Sequence, residues 1–111
     1  MKIKDIAEKL NLRIVSGANG LDREVINGYS SDLLSDVMGS AQAGELWITL
    51  QTHKNVMAIA SLKDLAGIIL VKGFKPDPDM EEQSNEEDIT VLVTDDDTFT
   101  INGKLYKLLK G

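Results

Sequence analysis

Apolar residues change their spacing near residue 44. Three short runs beyond this point are apolar almost throughout: "LWITL", "GIILV" and "ITVLV". Between the first two runs, Val56, Ile59, Ala60 and Leu62 recur at the spacing of one helix face. Apolar strands that alternate with helices are typical of a parallel sheet with both faces covered. The pattern therefore predicts βαβ units with right-handed crossovers.

The N-terminal part of the chain predicts shorter elements. In "KIKDIAEKL" an apolar residue recurs every three or four positions, which predicts a first helix. "LRIVS" and "EVINGYSS" predict two strands, so residues 12–31 are expected to form a hairpin or a strand–loop–strand unit. "SDLLSDVMGS" predicts a second helix that Ser31 or Asp32 caps and Gly39 ends.

The C-terminal part predicts one clear helix and one weak one. "TFTINGKLYKLL" predicts a final helix whose apolar face includes Phe99 and Leu105. In the acidic segment 77–88, Met80 is the only large apolar residue, so we expect a short exposed helix or an irregular loop, mobile in either case. The expected fold is a small mixed α/β sheet with a βαβαβα core, in a single domain over residues 1–111.

Composition removes several classes of function. The chain of 111 residues has 42% hydrophobic residues and no Cys, which excludes disulfides, thiolate zinc sites and cysteine nucleophiles. "MKIKDIAEKL" has no apolar run of the length that a signal peptide or a membrane span needs. We therefore predict a cytoplasmic protein that does not insert into membranes.

The net charge of −6 is unevenly distributed. Residues 77–97 carry ten acidic side chains and no basic one, whereas residues 1–76 are nearly neutral. Proteins that bind nucleic acids or anionic membranes need clustered Lys and Arg. Since no such cluster is visible, we predict no nucleic-acid partner and no membrane surface.

Polar residues that follow the three apolar strands are the candidate binding residues. Ligands of open parallel sheets bind beyond the carboxyl ends of the strands, where helix N-termini favour anions. If the strands are neighbours, the loops at 49–55, 71–75 and 94–98 share one edge. The candidates that they contribute are Thr49, Thr52, His53, Asn55, Lys72, Gly73, Thr94, Asp97 and Thr98.

His53, the only histidine, has three interpretations. It is a general base, with Asp97 as its orienting carboxylate, or a ligand contact, or a first-turn residue with a structural hydrogen bond. No nucleophile is placed beside it by the local sequence, which favours the last two. Thr52 is the expected cap of the helix that His53 and Asn55 open.

Asp95, Asp96 and Asp97 are consecutive and precede the final helix. Three carboxylates can bind a divalent cation, but consecutive residues rarely face one ion, and capping with the helix dipole already explains them. The sequence also lacks Walker, dinucleotide-binding, zinc-protease and nucleophile-elbow motifs. We therefore predict no metal, no cofactor and no enzymatic activity.

A family resemblance rests on several dispersed stretches rather than on one motif. "SDLL", "GEL", "HKN", "GIIL" and "TDDDTFT" together resemble the DRTGG domain over about residues 25–109, although the string that names the family is absent. The resemblance implies a fold like the N-terminal domains of HPr kinase and the Mur ligases. In larger relatives the domain accompanies CBS domains of a regulated pyrophosphatase or precedes a phosphotransacetylase. The P-loop that carries the kinase activity of HPr kinase is not present here.

Two functions follow from the residues and the resemblance together. The first is a non-catalytic regulatory or interaction module that forms a homodimer or binds a partner enzyme. The alternative is a sensor that binds a nucleotide or another phosphorylated small molecule at the carboxyl ends of the parallel strands.

Overall fold

A five-stranded sheet between two layers of helices forms the centre of the protein, which a computed structural model describes over residues 1–111. A single 3₁₀ turn at Ala18–Gly20 follows the first strand. In chain order, the helices and strands are α1 (Ile3–Lys9), β1 (Arg13–Ser16), β2 (Asn27–Ser30), α2 (Leu34–Ser40), β3 (Glu45–Thr49), α3 (Asn55–Leu62), β4 (Gly67–Leu70), α4 (Pro78–Glu87), β5 (Thr90–Val93) and α5 (Thr98–Lys110).

The sheet has the order β1-β5-β4-β3-β2. Strands β2 to β5 are parallel, and β1 pairs with β5 in the antiparallel sense. Trp47 lies beside Ile68, which in turn lies beside Val91. The three apolar runs are thus adjacent parallel strands, and the predicted mixed α/β fold with a βαβαβα core is confirmed.

Of the two alternatives expected for residues 12–31, the hairpin is wrong, and two strands joined by a loop are present. β1 and β2 lie at opposite edges of the sheet, where β1 pairs with β5 and β2 with β3. Local alternation predicts that a segment is extended, but it does not say which strand is its partner. The loop between them is held on β5 instead, and a Cβ on Gly17 would come within 2.1 Å of the Ile89 carbonyl oxygen.

Two apolar cores lie on the two faces of the sheet, because successive side chains of a strand point to opposite faces. Trp47 and Ile68 belong to the core of 14 buried residues beneath α2, α3 and α4. Ile48 and Ile69 belong to the core of 13 buried residues beneath α1 and α5. The longest helix, α5, has 13 residues, and none of the helices has the length and apolarity to cross a membrane.

The acidic segment forms a regular helix of ten residues, α4, so the expectation of a short helix or loop with nothing to bury needs correction. Pro78 is its first residue, and both Met80 and Ser84 are fully buried. The Ser16 hydroxyl donates to Ser84 Oγ at 2.9 Å, and the Ser84 hydroxyl donates to the Ile89 carbonyl. A buried hydroxyl therefore anchors this helix where the sequence offers few apolar groups.

Two other helix predictions are wrong in detail. Gly39 lies inside α2 rather than at its end, and Leu33 is its N-cap. Phe99 is 86% exposed, whereas Ile101 and Leu105 form the buried face of α5. Each helical residue turns by about 100°, so Phe99 lies roughly opposite Ile101 on the helix.

Candidate functional site

Four parallel strands end at the same edge of the sheet, which we call the carboxyl edge. The loops after β2, β3, β4 and β5 all begin there, and antiparallel β1 contributes its first residue, Arg13. The predicted loops at 49–55, 71–75 and 94–98 therefore do share one edge. The loop after β2 joins them, which the sequence did not predict.

The loops after β4 and β5 are fastened to each other by backbone hydrogen bonds. Lys72 and Gly73 form a left-handed turn, with φ of 59° and 73°. The Lys72 amide donates to the Asp96 carbonyl at 2.9 Å, and the Gly73 amide donates to the Thr94 carbonyl at 2.8 Å. The Thr94 hydroxyl oxygen accepts from the Asp96 amide at 3.2 Å. Three of the predicted site residues, Lys72, Gly73 and Thr94, therefore meet here, and a fourth, Asp97, is the next residue after Asp96.

Asp97 is the N-cap of α5, as the capping interpretation predicts. Its carboxylate accepts from the Thr100 amide at 2.8 Å. This backbone hydrogen bond is the main reason why the pKa of Asp97 lies below its ordinary value of 3.8; the Thr100 hydroxyl and the charge of Lys72 lower it further. Thr98 is the first residue of α5.

The other two aspartates have separate basic partners. Asp95 lies 3.5 Å from an Arg13 guanidinium nitrogen, and Asp96 lies 2.7 Å from Lys104 Nζ. The three carboxylates therefore contact an amide, a guanidinium and an ammonium group. Each one is accounted for within the fold.

Thr49 and Asp32 join the ends of β3 and β2. The buried Thr49 hydroxyl donates to Asp32 Oδ1 at 2.8 Å, and the Leu50 amide donates to the same oxygen at 3.0 Å. The Gln51 side chain donates to the Asp32 carbonyl at 2.9 Å. Sequence reasoning treated Asp32 only as a cap of α2. Asp32 lies two residues beyond the end of β2. This position indicates a place at the carboxyl edge only once β2 is known to run parallel to β3.

His53 has a different carboxylate partner from the one predicted. Its Nδ1 lies 2.9 Å from Asp77 Oδ2, while Asp97 is engaged with Thr100. The Asp77 amide donates to the Thr52 carbonyl at 2.9 Å, which brings the start of α4 beside His53. The dyad of His53 with Asp97 is therefore not formed, and the imidazole makes no hydrogen bond to a Ser or Thr hydroxyl.

The expected cap at Thr52 is also wrong. The N-cap of α3 is Lys54, which makes no side-chain capping bond, and Asn55 is the first helical residue. Thr52 lies two positions too early, and its carbonyl is used by Asp77. The first turn of α3 thus has no side-chain cap at the carboxyl edge; its Val56 and Met57 amides donate to the His53 and Lys54 carbonyls instead.

The predicted residues share an edge without enclosing one cavity. Thr94 alone among them lines a surface cavity, between β1 and α5. That cavity contains both signs of charge; its lining is Leu10, Asn11, Arg13, Thr94, Asp95, Asp96 and Lys104. His53 and Asp77 lie apart, between the starts of α3 and α4.

Comparisons with known proteins identify relatives of this fold. The family model described as the DRTGG domain matches residues 5–108. A crystal structure of the CBS and DRTGG domains of the regulatory region of Clostridium perfringens pyrophosphatase, complexed with the activator diadenosine tetraphosphate, is similar in structure. The similarity has a TM-score of 0.69 at 15% sequence identity, and it covers 94% of this chain.

This chain spans 45% of the length of that regulatory region. No curated protein matches the chain significantly. The shared fold agrees with the predicted resemblance to the DRTGG domain. The family model covers nearly the whole sequence and confirms the resemblance found from its dispersed stretches. The chain therefore belongs to the DRTGG domain family.

Proposed function

We propose that this chain is a regulatory module without catalytic activity of its own, which forms a homodimer and acts on a partner enzyme. Membership of the DRTGG family carries the proposal, and the similar pyrophosphatase region is regulatory by description. Because the chain spans less than half of that region, the partner enzyme and its control belong to the proposal.

The chemistry of the carboxyl edge supports a role other than catalysis. Asp97 and Asp32 accept hydrogen bonds from backbone amides, and Thr49 donates to Asp32. His53 is oriented by Asp77 but has no nucleophile in hydrogen-bond reach. These side chains stabilise loops and helix ends, so their role in the fold is structural.

Sedimentation equilibrium tests the self-association. We expect a reversible monomer–dimer equilibrium in the micromolar range, with a closed two-fold dimer rather than larger species. A chain that stays monomeric at high micromolar concentration contradicts the homodimer.

The second candidate function is a sensor of a nucleotide or another phosphorylated small molecule. One observation favours it: α3 begins at the carboxyl edge without a side-chain cap, next to His53 and Lys54. The positive end of a helix dipole and a lysine attract phosphate groups. The similar regulatory region is complexed with the nucleotide activator diadenosine tetraphosphate. Thr52, Lys72 and Thr98 are the further donors that the proposal assigns to this edge, whereas the Thr49 hydroxyl already donates to Asp32.

A thermal-shift experiment tests the sensor. ATP and diadenosine tetraphosphate are added with and without magnesium, and ligand at about a hundred times its Kd stabilises the fold by about 2.7 kcal/mol. The double substitution His53→Ala, Lys54→Ala should abolish the shift, whereas Lys63→Ala at the other end of α3 should preserve it. No shift with either compound at millimolar concentration removes these ligands from the proposal.

We further predict a cytoplasmic location, a single domain over residues 1–111, no cofactor and no nucleic-acid partner.

A further inference from the structure

The outward side of α5 carries an aromatic surface that the fold does not cover. Phe99 is 86% exposed and Tyr106 is 69% exposed. Together with Gly103 they lie at positions i, i+4 and i+7, which places them on one side of the helix. We call Phe99, Gly103 and Tyr106 the α5 stripe. Exposed aromatic groups that are contiguous mark interaction surfaces more often than isolated exposed apolar residues do.

Gly103 adds to this pattern because the fold itself does not require it. A Cβ at this position would meet no atom within 4 Å. Glycine inside a helix costs about 1 kcal/mol relative to alanine. The glycine leaves a flat place between two aromatic rings, where another backbone or ring can approach closely.

A groove opens beside Tyr106, between α5 and the edge strand β2. Its volume is about 150 Å³. Gly28 keeps the groove narrow, since a Cβ there would come within 2.9 Å of Leu105 Cδ2. The groove thus extends the α5 stripe towards a strand whose outer edge has no neighbouring strand. Its lining is Asn27, Gly28, Ser30, Ile48, Asn102, Leu105, Tyr106, Leu109 and Lys110.

We propose that the α5 stripe is the surface on which a second copy of this chain docks, with the two α5 helices antiparallel across a two-fold axis. The inference deepens the homodimer proposed above and rests on it. An axis midway between Asn102 and Gly103 places Phe99 of one protomer opposite Tyr106 of its partner, because both residues lie equally far from that point. Such a surface is self-complementary, as a two-fold dimer requires.

Charge complementarity favours a second copy over an unrelated partner. Antiparallel packing brings Lys107 and Lys110, in the last turn of one α5, towards the loop before the partner's α5, which carries Asp95. The Asp95 side chain is 81% exposed and makes only a 3.5 Å contact with Arg13. Lys104 is already neutralised by Asp96 at 2.7 Å, so it adds little repulsion at the centre. Opposite charges at the two rims fix the antiparallel orientation.

The available area is of the right size. An aromatic side chain buries about 150–250 Å², so four rings supply roughly 600–1,000 Å² of the 1,200–2,000 Å² of a standard interface. The two grooves beside the rings supply further apolar surface. An interface of this extent suits a reversible dimer rather than an obligate one.

Sedimentation equilibrium of three forms of the full chain tests the surface. The double substitution Phe99→Ser, Tyr106→Ser should weaken dimerisation at least tenfold. The control, Leu62→Ser, changes a side chain on α3 that is 71% exposed on the other face of the molecule, and it should dimerise like the wild type.

A charge exchange tests the orientation. Asp95→Lys alone and Lys110→Asp alone should each weaken the dimer, and the two combined should restore it. A parallel or unrelated interface predicts no such restoration, and its absence would overturn the antiparallel geometry.

Different results would contradict the homodimer and the α5 stripe as its surface. A monomeric wild type contradicts the homodimer itself. A dimeric wild type whose association is unchanged by Phe99→Ser, Tyr106→Ser leaves the homodimer standing and overturns the α5 stripe as its surface.

Discussion

Asp97 contributes to the fold through one carboxylate that satisfies an amide at the start of α5. We predict that Asp97→Ala lowers the free energy of unfolding at neutral pH, because the Thr100 amide loses its acceptor. Asp97→Asn keeps a side-chain oxygen and should preserve more of the stability. Urea denaturation of the two variants and the wild type measures the difference.

The pH dependence gives a second check on the same residue. The folded-state pKa of Asp97 lies below its ordinary value of 3.8. Its charged form is therefore favoured by folding, and the stabilisation is complete above that ordinary value and disappears as the pH falls through the folded-state pKa. The stability difference between wild type and Asp97→Asn should vanish in acid. A difference that stays constant down to low pH contradicts an ionised cap; Glu82→Gln on exposed α4 is the control.

At the level of single residues, sequence reasoning found the loops of the site but only some of the contacts. Asp97 as a cap follows from its place before an apolar helix pattern. The partners of His53 and Thr49 did not, because Asp77 and Asp32 lie on other loops whose neighbours are fixed only by the order of the strands. Spacing along the chain does not contain that order.

At the level of elements, α4 depends on a buried hydroxyl rather than on an apolar face. We predict that Ser84→Ala destabilises the protein by about 1–3 kcal/mol, the cost of leaving buried partners unpaired. The Ser16 hydroxyl and the Ile89 carbonyl would both lose a hydrogen bond. The control is Ser61→Ala, whose hydroxyl contacts Glu87 at the surface, and it should change stability by less than about 0.5 kcal/mol. Equal effects of the two substitutions in chemical denaturation would contradict the anchoring role of Ser84.

The helix α5 allows a substitution with opposite effects on the monomer and the dimer. In the Phe99→Ser, Tyr106→Ser background, which we expect to dimerise at least tenfold more weakly, Gly103→Ala should raise the free energy of unfolding by about 0.5–1 kcal/mol, because alanine is the better helix former and nothing obstructs its methyl group. In the wild-type background the same methyl group should weaken dimerisation. Gly39→Ala in α2, where the space is equally open, should leave dimerisation unchanged.

Sequence analysis predicted best the strands that are covered on both faces of the sheet, because burial on both faces favours apolar residues along the whole strand. β3, β4 and β5 belong to this class, since each is buried along its whole length. β1 and β2 are partly exposed edge strands, so their patterns are weak, and the hairpin that would have paired them with each other does not form. The length and regularity of α4 were underestimated, because its buried face consists of Met80 and the polar residue Ser84.

At the scale of the whole molecule, one sheet separates two cores and connects them. The only tryptophan, Trp47, is fully buried in the core beneath α2, α3 and α4, and its indole N–H donates to the Ser31 carbonyl at 2.8 Å. Leu105 is buried in the other core, on α5. Neighbouring residues of each central strand point into different cores, so loss of one core exposes the other side of the same strands.

This arrangement predicts that the molecule unfolds as one cooperative unit. Leu105→Ala should cost about 2–5 kcal/mol, as for other buried leucines, and the loss should appear equally in Trp47 fluorescence and in far-UV circular dichroism. The experiment belongs in the Phe99→Ser, Tyr106→Ser background, so that dimerisation does not contribute, with exposed Leu62→Ala as the control. If the two cores were independent, Leu105→Ala would shift the circular dichroism transition and leave that of Trp47 in place. Coincident shifts would show that the two cores unfold together as one cooperative unit.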